Sequence, residues 1–85
     1  MNDRQFLTMV YEGGIKQTTG GRKRTLTGAR HLFLMSRDIQ NGKPDQARRL
    51  AARGLELLQL YPMAERADSE AWNLLWGALN AIHQN

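Results

Sequence analysis

Apolar residues surround the C-terminal segment 69–85, where they recur on every side of a predicted helix. The ring is interrupted only at Asn73, Gly77 and Asn80. This stripe is either an exposed seam or a place where Gly77 lets another helix come close. A helix on the outside of a small domain needs one apolar stripe about 100° wide, and one that is apolar all round must be covered on several sides. Because an 85-residue chain offers few elements for that cover, we expect a partner to provide part of it. The predicted apolar partner-binding residues are Trp72, Leu75, Trp76 and Leu79.

Three further segments carry apolar residues at helical spacing, namely 3–12, 26–41 and 44–61. Pro44 suits the first turn of a helix, and the break at Asn41 and Gly42 is short enough to make its two flanking helices an antiparallel hairpin. Asp68 or Ser69 is positioned to cap the C-terminal helix. The sequence therefore predicts one all-α domain over 1–85, with four helices and a central antiparallel helical hairpin.

Residues 13–24 are rich in glycine, and Ile15 is their only large apolar residue. A segment that can bury so little apolar surface predicts a mobile basic loop. The alternative is a strand hairpin that pairs 15–18 with 23–26 around Gly20 and Gly21, because a Gly-Gly pair suits turns with positive φ.

The order of small residues in 28–62 follows a known helical repeat. The repeat has, in order, a glycine, two small residues, leucine and a terminal proline. This order is followed here by Gly42, Ala47, Gly54, Leu55, Leu57 and the closing Pro62. In this respect the segment resembles a single tetratricopeptide-type helix pair, although no second repeat of about 34 residues follows it. The resemblance implies close helix packing and protein binding rather than catalysis.

Positive charge is concentrated in the middle of the chain. Between Lys16 and Arg53 there are ten basic and two acidic residues, a local balance of +8 within a net charge of +4. This asymmetry indicates an anionic partner, either an acidic protein surface or nucleic acid. The alternative is that the arginines of the third helix form an ordinary solvated helix face. Asp45–Arg49 and Arg53–Glu56 have the spacing of intrahelical ion pairs, which would neutralise part of the charge and leave Arg48 unpaired. The candidate anion-binding residues are Arg22, Lys23, Arg24, Arg30, Arg48, Arg49 and Arg53.

Motifs for catalysis, metal binding or cofactor binding are missing from the sequence. It has no cysteine, and its two histidines, His31 and His83, fall in different predicted helices. Zinc sites need such ligands two to five residues apart. The sequence also lacks a nucleophile elbow and a phosphate-binding loop. We therefore expect no enzyme activity, cofactor, metal or small-molecule substrate.

The sequence contains no stretch long enough to cross a membrane and no secretory signal, which predicts a cytoplasmic protein without membrane contact. The predicted function is that of a small adaptor, inhibitor or regulator that docks on a larger protein, a size class typical of phages and mobile elements. Two alternatives are a nucleic-acid-binding regulator that uses the basic residues and a structural subunit that self-associates through its last helix.

Overall fold

The computed structural model describes residues 3–16 and 20–85, and all regular elements within them are helical. The helices are α1 (Asp3–Val10), which continues into a π-helical segment (Tyr11–Ile15), α2 (Gly20–Ile39), α3 (Pro44–Leu58), α4 (Met63–Arg66) and α5 (Glu70–His83). The prediction of an all-α fold is confirmed for these residues. None of the described helices combines the length and apolar character that crossing a bilayer requires.

Helices α2, α3 and α5 pack around the core, as their apolar stripes predict. Gly28 of α2 lies so close to α3 that an added Cβ would be 2.6 Å from a methyl carbon of Leu57. Gly54 of α3 faces Leu79 of α5 so closely that an added Cβ would lie 2.9 Å from the two Leu79 methyl carbons. The side chains that are fully buried, with less than 2% exposure and the largest volumes, are Leu26, Leu58, Leu75, Leu79, Val10 and Ser36.

Local signals explain where α3 and α5 begin. Pro44 occupies the first turn of α3, where its missing N–H is not needed by the helix. Ser69 is the N-cap of α5, because its Oγ accepts a hydrogen bond from the Trp72 N–H at 3.2 Å. Helix α3 ends at Leu58, three residues before the predicted end, and a hydrogen-bonded turn leads to the buried Tyr61.

The prediction of a loop over 13–24 is wrong for the residues that the structure describes. Gly13, Gly14 and Ile15 belong to the π-helical segment, and α2 begins at Gly20, six residues before the predicted start. The predicted strands are likewise replaced by helix at Ile15 and at 23–26, while 17–19 lie outside the described residues. The short helix α4 lies between the third and fourth predicted helices, where the sequence predicted none, so the described chain has more helices than the four predicted.

The two glycines of the π-helical segment allow it to pack directly against the start of α5. A Cβ on Gly14 would overlap the Cβ of Ala71 and lie 3.3 Å from the Ala71 backbone nitrogen. A Cβ on Gly13 would lie 2.8 Å from a carboxylate oxygen of Glu70. This contact places Val10 and Ile15 in the core, so the N-terminal elements cover part of α5.

Candidate protein-docking surface

The C-terminal helix hides most of its apolar surface within the molecule. Trp72, Leu75 and Leu79 are 8%, 0% and 0% exposed, so they are core residues and cannot form the docking surface that the sequence predicted. The prediction counted three neighbouring helices as cover. It missed the π-helical segment, which packs on Ala71, and α4, whose Arg66 guanidinium lies 5.2 Å from the Trp72 ring centre.

Trp76 is the one predicted apolar residue that reaches the surface, and it is half-buried. Its ring stacks on Trp72 with 5.0 Å between ring centres and 11° between ring planes. Asn73, Gly77 and Ala81 form the exposed side of α5. No atom lies within 4 Å of a Cβ built on Gly77, so no helix of the described chain approaches there, and the seam interpretation fits this position.

Among the described residues, the most exposed large apolar side chains lie elsewhere, in the segment 59–63 between the end of α3 and the first residue of α4. Leu60 is 73% exposed and Met63 is 77% exposed. The segment is held in place by Tyr61, which is buried, and by Arg66, which donates hydrogen bonds to the carbonyl oxygens of Gln59 and Tyr61 at 2.8 and 3.2 Å. Leu60 and Met63 are therefore displayed by an anchored turn. We call this pair the apolar tip.

Leu60 separates two surface depressions. One, of about 330 Å³, is lined by Leu32 of α2 and by Arg53, Glu56, Leu57 and Leu60. The other, of about 430 Å³, is lined by Gly21, Arg22, Thr25, Leu60 and Pro62. We call the two together the α2–α3 groove. The first depression has a mainly apolar lining, whereas the lining of the second is more polar, and an arginine lies in the wall of each.

The predicted anion-binding residues divide into two groups. Arg22 and Arg53 line the groove, and Arg22 also pairs with Glu65 at 2.9 Å. Lys23 and Arg24 are exposed in the first turns of α2, and no described residue forms an ion pair with either. Helix α2 has no acidic residue in its first turn, so these cations lie at the positive end of the helix dipole, an unfavourable position that a negative partner would relieve.

The other predicted basic residues are not part of one patch. Arg48, which the sequence left unpaired, forms an ion pair with Asp45 and donates a hydrogen bond to the backbone oxygen of Asn85 at 2.9 Å. The predicted Asp45–Arg49 pairing is therefore wrong, because the Asp45 carboxylate pairs with Arg48, the residue before Arg49. Arg49 is exposed, whereas Arg30 is half-buried and its Nε has no hydrogen-bond partner among the described residues.

Leu57, Leu60 and Met63 were missed by the sequence reasoning. The inward positions of α3 include Leu55, Leu58 and Tyr61, so a large leucine at 60 falls outside that stripe. The available signal was Leu60 itself, a large apolar residue outside the stripe and directly before Tyr61 and Pro62.

The two histidines of the chain lie on different helices. His31 and His83 are exposed on α2 and α5. Within the described part of the chain, no three His, Asp or Glu side chains come together in a group that could hold a metal ion. Comparisons of the chain with protein families, with curated proteins and with solved structures find no match.

Proposed function

We propose that this chain is a non-enzymatic protein-binding module, an adaptor, inhibitor or regulator that docks on a larger protein. The observation that carries the proposal is the apolar tip, in which two large apolar side chains are more than 70% exposed beside the groove. Contiguous apolar surface on a small protein is characteristic of interaction sites. Burying a side chain such as leucine contributes about 1.5–3 kcal/mol.

The anchoring of the tip supports a binding role. Because Tyr61 is buried and Arg66 fixes two carbonyl oxygens of the turn, the tip loses little conformational freedom when it meets a partner. Preorganisation of this kind lowers the entropic cost of association. In this proposal α2 and α3 form the helical hairpin that carries the groove, an arrangement in keeping with the tetratricopeptide-like order of small residues in 28–62.

Site-specific photo-crosslinking in the native cell tests the proposal. A photoreactive amino acid at Met63 should give a discrete protein adduct, and the same amino acid at Ala81, which is exposed on α5, is the matched control. The adduct should disappear when Leu60→Asp is added. Equal adducts from both positions, or none from position 63, would reject a docking role for the tip.

A second candidate function is nucleic-acid binding, which the unpaired exposed cations Lys23, Arg24, Arg49 and Arg53 favour. If all four contacted phosphates, raising the salt from about 50 to 200 mM should weaken binding by roughly a hundredfold. A gel-shift titration with duplex DNA and with RNA at those two salt concentrations measures this. An absence of binding at the lower concentration rejects the candidate.

A third candidate is self-association through α5. Sedimentation of the wild-type chain and of Trp76→Glu tests it, because only Trp76 among the predicted apolar site residues reaches the surface. A wild-type protein that sediments as a monomer at all concentrations rejects this reading.

A further inference from the structure

We propose that the α2–α3 groove binds an acidic amphipathic helix of a partner protein. This inference rests on the proposed function and adds the chemistry of the partner to it. It follows from the shape of the groove, from the charges at its edges and from the exposed apolar residue between its two depressions.

The shape of the groove fits a helix. Two depressions of about 330 and 430 Å³ share Leu60 in their linings, so they offer adjacent places for two anchoring side chains, of which the first depression, with the more apolar lining, takes the larger apolar one. An amphipathic helix supplies such anchors at three- to four-residue spacing along one face. Leu32 and Leu57 provide half-buried apolar contacts in the first depression, and Thr25 and Pro62 line the second. The described residues contain no strand whose edge could receive an extended peptide instead.

The positive charges at the edges of the groove favour a helix with acidic side chains. Arg53 lines the first depression, is exposed and forms no ion pair with a described residue. Arg22 lines the second depression, and Lys23 and Arg24 follow it at the positive end of α2. The acidic residues nearby are Glu56, in the wall of the first depression, Glu65, which pairs with Arg22, and Asp68, which lines a neighbouring depression with both Arg22 and Glu65. Acidic side chains on a partner helix would meet an excess of cations and relieve the unfavourable charge at the start of α2.

The groove is less suited to nucleic acid. A phosphate backbone needs cations along its path and gains nothing from an apolar floor. Arg30 lies about 200° around α2 from Leu32, and Arg48 is engaged by Asp45 and Asn85, so neither extends a cationic path along the groove.

The test uses the intact chain and synthetic peptides. The probe is a helical peptide with leucines one turn apart on one face and glutamates at the remaining positions. The first control peptide replaces every glutamate by lysine, and the second keeps the composition but disperses the leucines. Titration of isotope-labelled protein, followed by NMR, should shift the Leu32, Leu57 and Leu60 methyl signals with the acidic amphipathic peptide, which should bind at least about tenfold more tightly than either control.

Matched variants locate the interaction. Arg53→Glu should weaken binding of the acidic peptide by about tenfold or more, whereas Lys43→Glu, the charge reversal of an exposed lysine directly before α3, should leave it unchanged. Leu60→Ser should also weaken binding, with Tyr11→Ser as its control, since Tyr11 is 44% exposed in the π-helical segment. Circular dichroism of each variant verifies that it is folded.

Each contrary result has its own meaning. Equal binding of the glutamate and lysine peptides would overturn the acidic partner, and no groove shifts with millimolar acidic peptide would overturn the groove as a helix site. Concentration-dependent groove shifts without peptide would assign the groove to a second copy of the chain, and groove shifts with a DNA or RNA oligonucleotide, but not with peptide, would assign it to nucleic acid. In all these cases the crosslink from Met63 decides separately whether the proposed docking function stands.

Discussion

Replacing Gly14 by alanine tests the close contact on which the covering of α5 depends. In an ordinary helix, a Gly→Ala change stabilises the fold by about 0.5–1 kcal/mol, because glycine loses more backbone freedom on folding. At Gly14 the new methyl group would overlap the Cβ of Ala71. Neither Cβ can rotate away, so the π-helical segment and α5 must move apart.

The net effect follows from these two opposing contributions. Overpacking a well-packed contact costs about 1–3 kcal/mol, and the absence of any side-chain escape at Gly14 places it toward the upper end. Gly77→Ala is the matched control, since no atom lies within 4 Å of its added Cβ, and it should stabilise the protein by about 0.5–1 kcal/mol. Because both variants share the backbone gain, they should differ by the overpacking cost, about 2–3 kcal/mol, or roughly 8–24 °C in melting temperature for a domain of this size.

Urea unfolding followed by circular dichroism and by tryptophan fluorescence measures the difference. The two probes should give the same midpoint, which justifies a two-state analysis. If Gly14→Ala were as stable as wild type while Gly77→Ala gained stability as expected, the close approach of the π-helical segment to Ala71 would be refuted. The neighbours then covering the start of α5 would have to be identified again.

Three further predictions concern the ends and the surface of the same core. Ser69→Ala should destabilise the protein by about 1 kcal/mol in urea unfolding, because the cap to the Trp72 N–H is lost, and Ser69→Asp should restore it. Trp72→Phe should cost about 1–3 kcal/mol in the same assay, since the buried indole N–H bonds to the Leu58 carbonyl at 2.8 Å, and the half-buried Trp76→Phe should cost less. Leu60→Asp should change the free energy of unfolding by less than about 0.5 kcal/mol yet abolish binding of the acidic peptide in NMR titration; a loss of stability would show that Leu60 supports the fold.

Helix positions with a strong local cause could be predicted from the sequence. Pro44 begins α3 and Ser69 caps α5 because a missing N–H and a hydroxyl acceptor act within one turn of the chain. The inward stripe of α3 was also predictable, since Ala47, Ala51 and Leu58 are buried as their spacing requires.

The glycine-rich region could not be predicted in the same way. Local rules interpret Gly13 and Gly14 as the end of a helix, yet the structure uses their missing side chains for contact with Glu70 and Ala71, more than fifty residues later in the chain. Gly20, with φ of +65°, is the position where glycine's backbone freedom is used, at the start of α2. Long-range contact, rather than local preference, therefore decides the structure here.

The packing of the π-helical segment on α5 also means that the candidate binding surface lies elsewhere than the sequence predicted. Because the π-helical segment and Arg66 cover Ala71 and Trp72, α5 needs no partner to hide its apolar ring. Among the described residues, the large apolar side chains that remain most exposed are Leu60 and Met63, ahead of Met35, Tyr11 and Met9. The apolar tip lies beside the start of α2, where three consecutive basic residues oppose the helix dipole. Exposed apolar side chains and unfavourably placed cations both reduce the stability of the isolated molecule, and a single acidic, apolar-faced partner would relieve both.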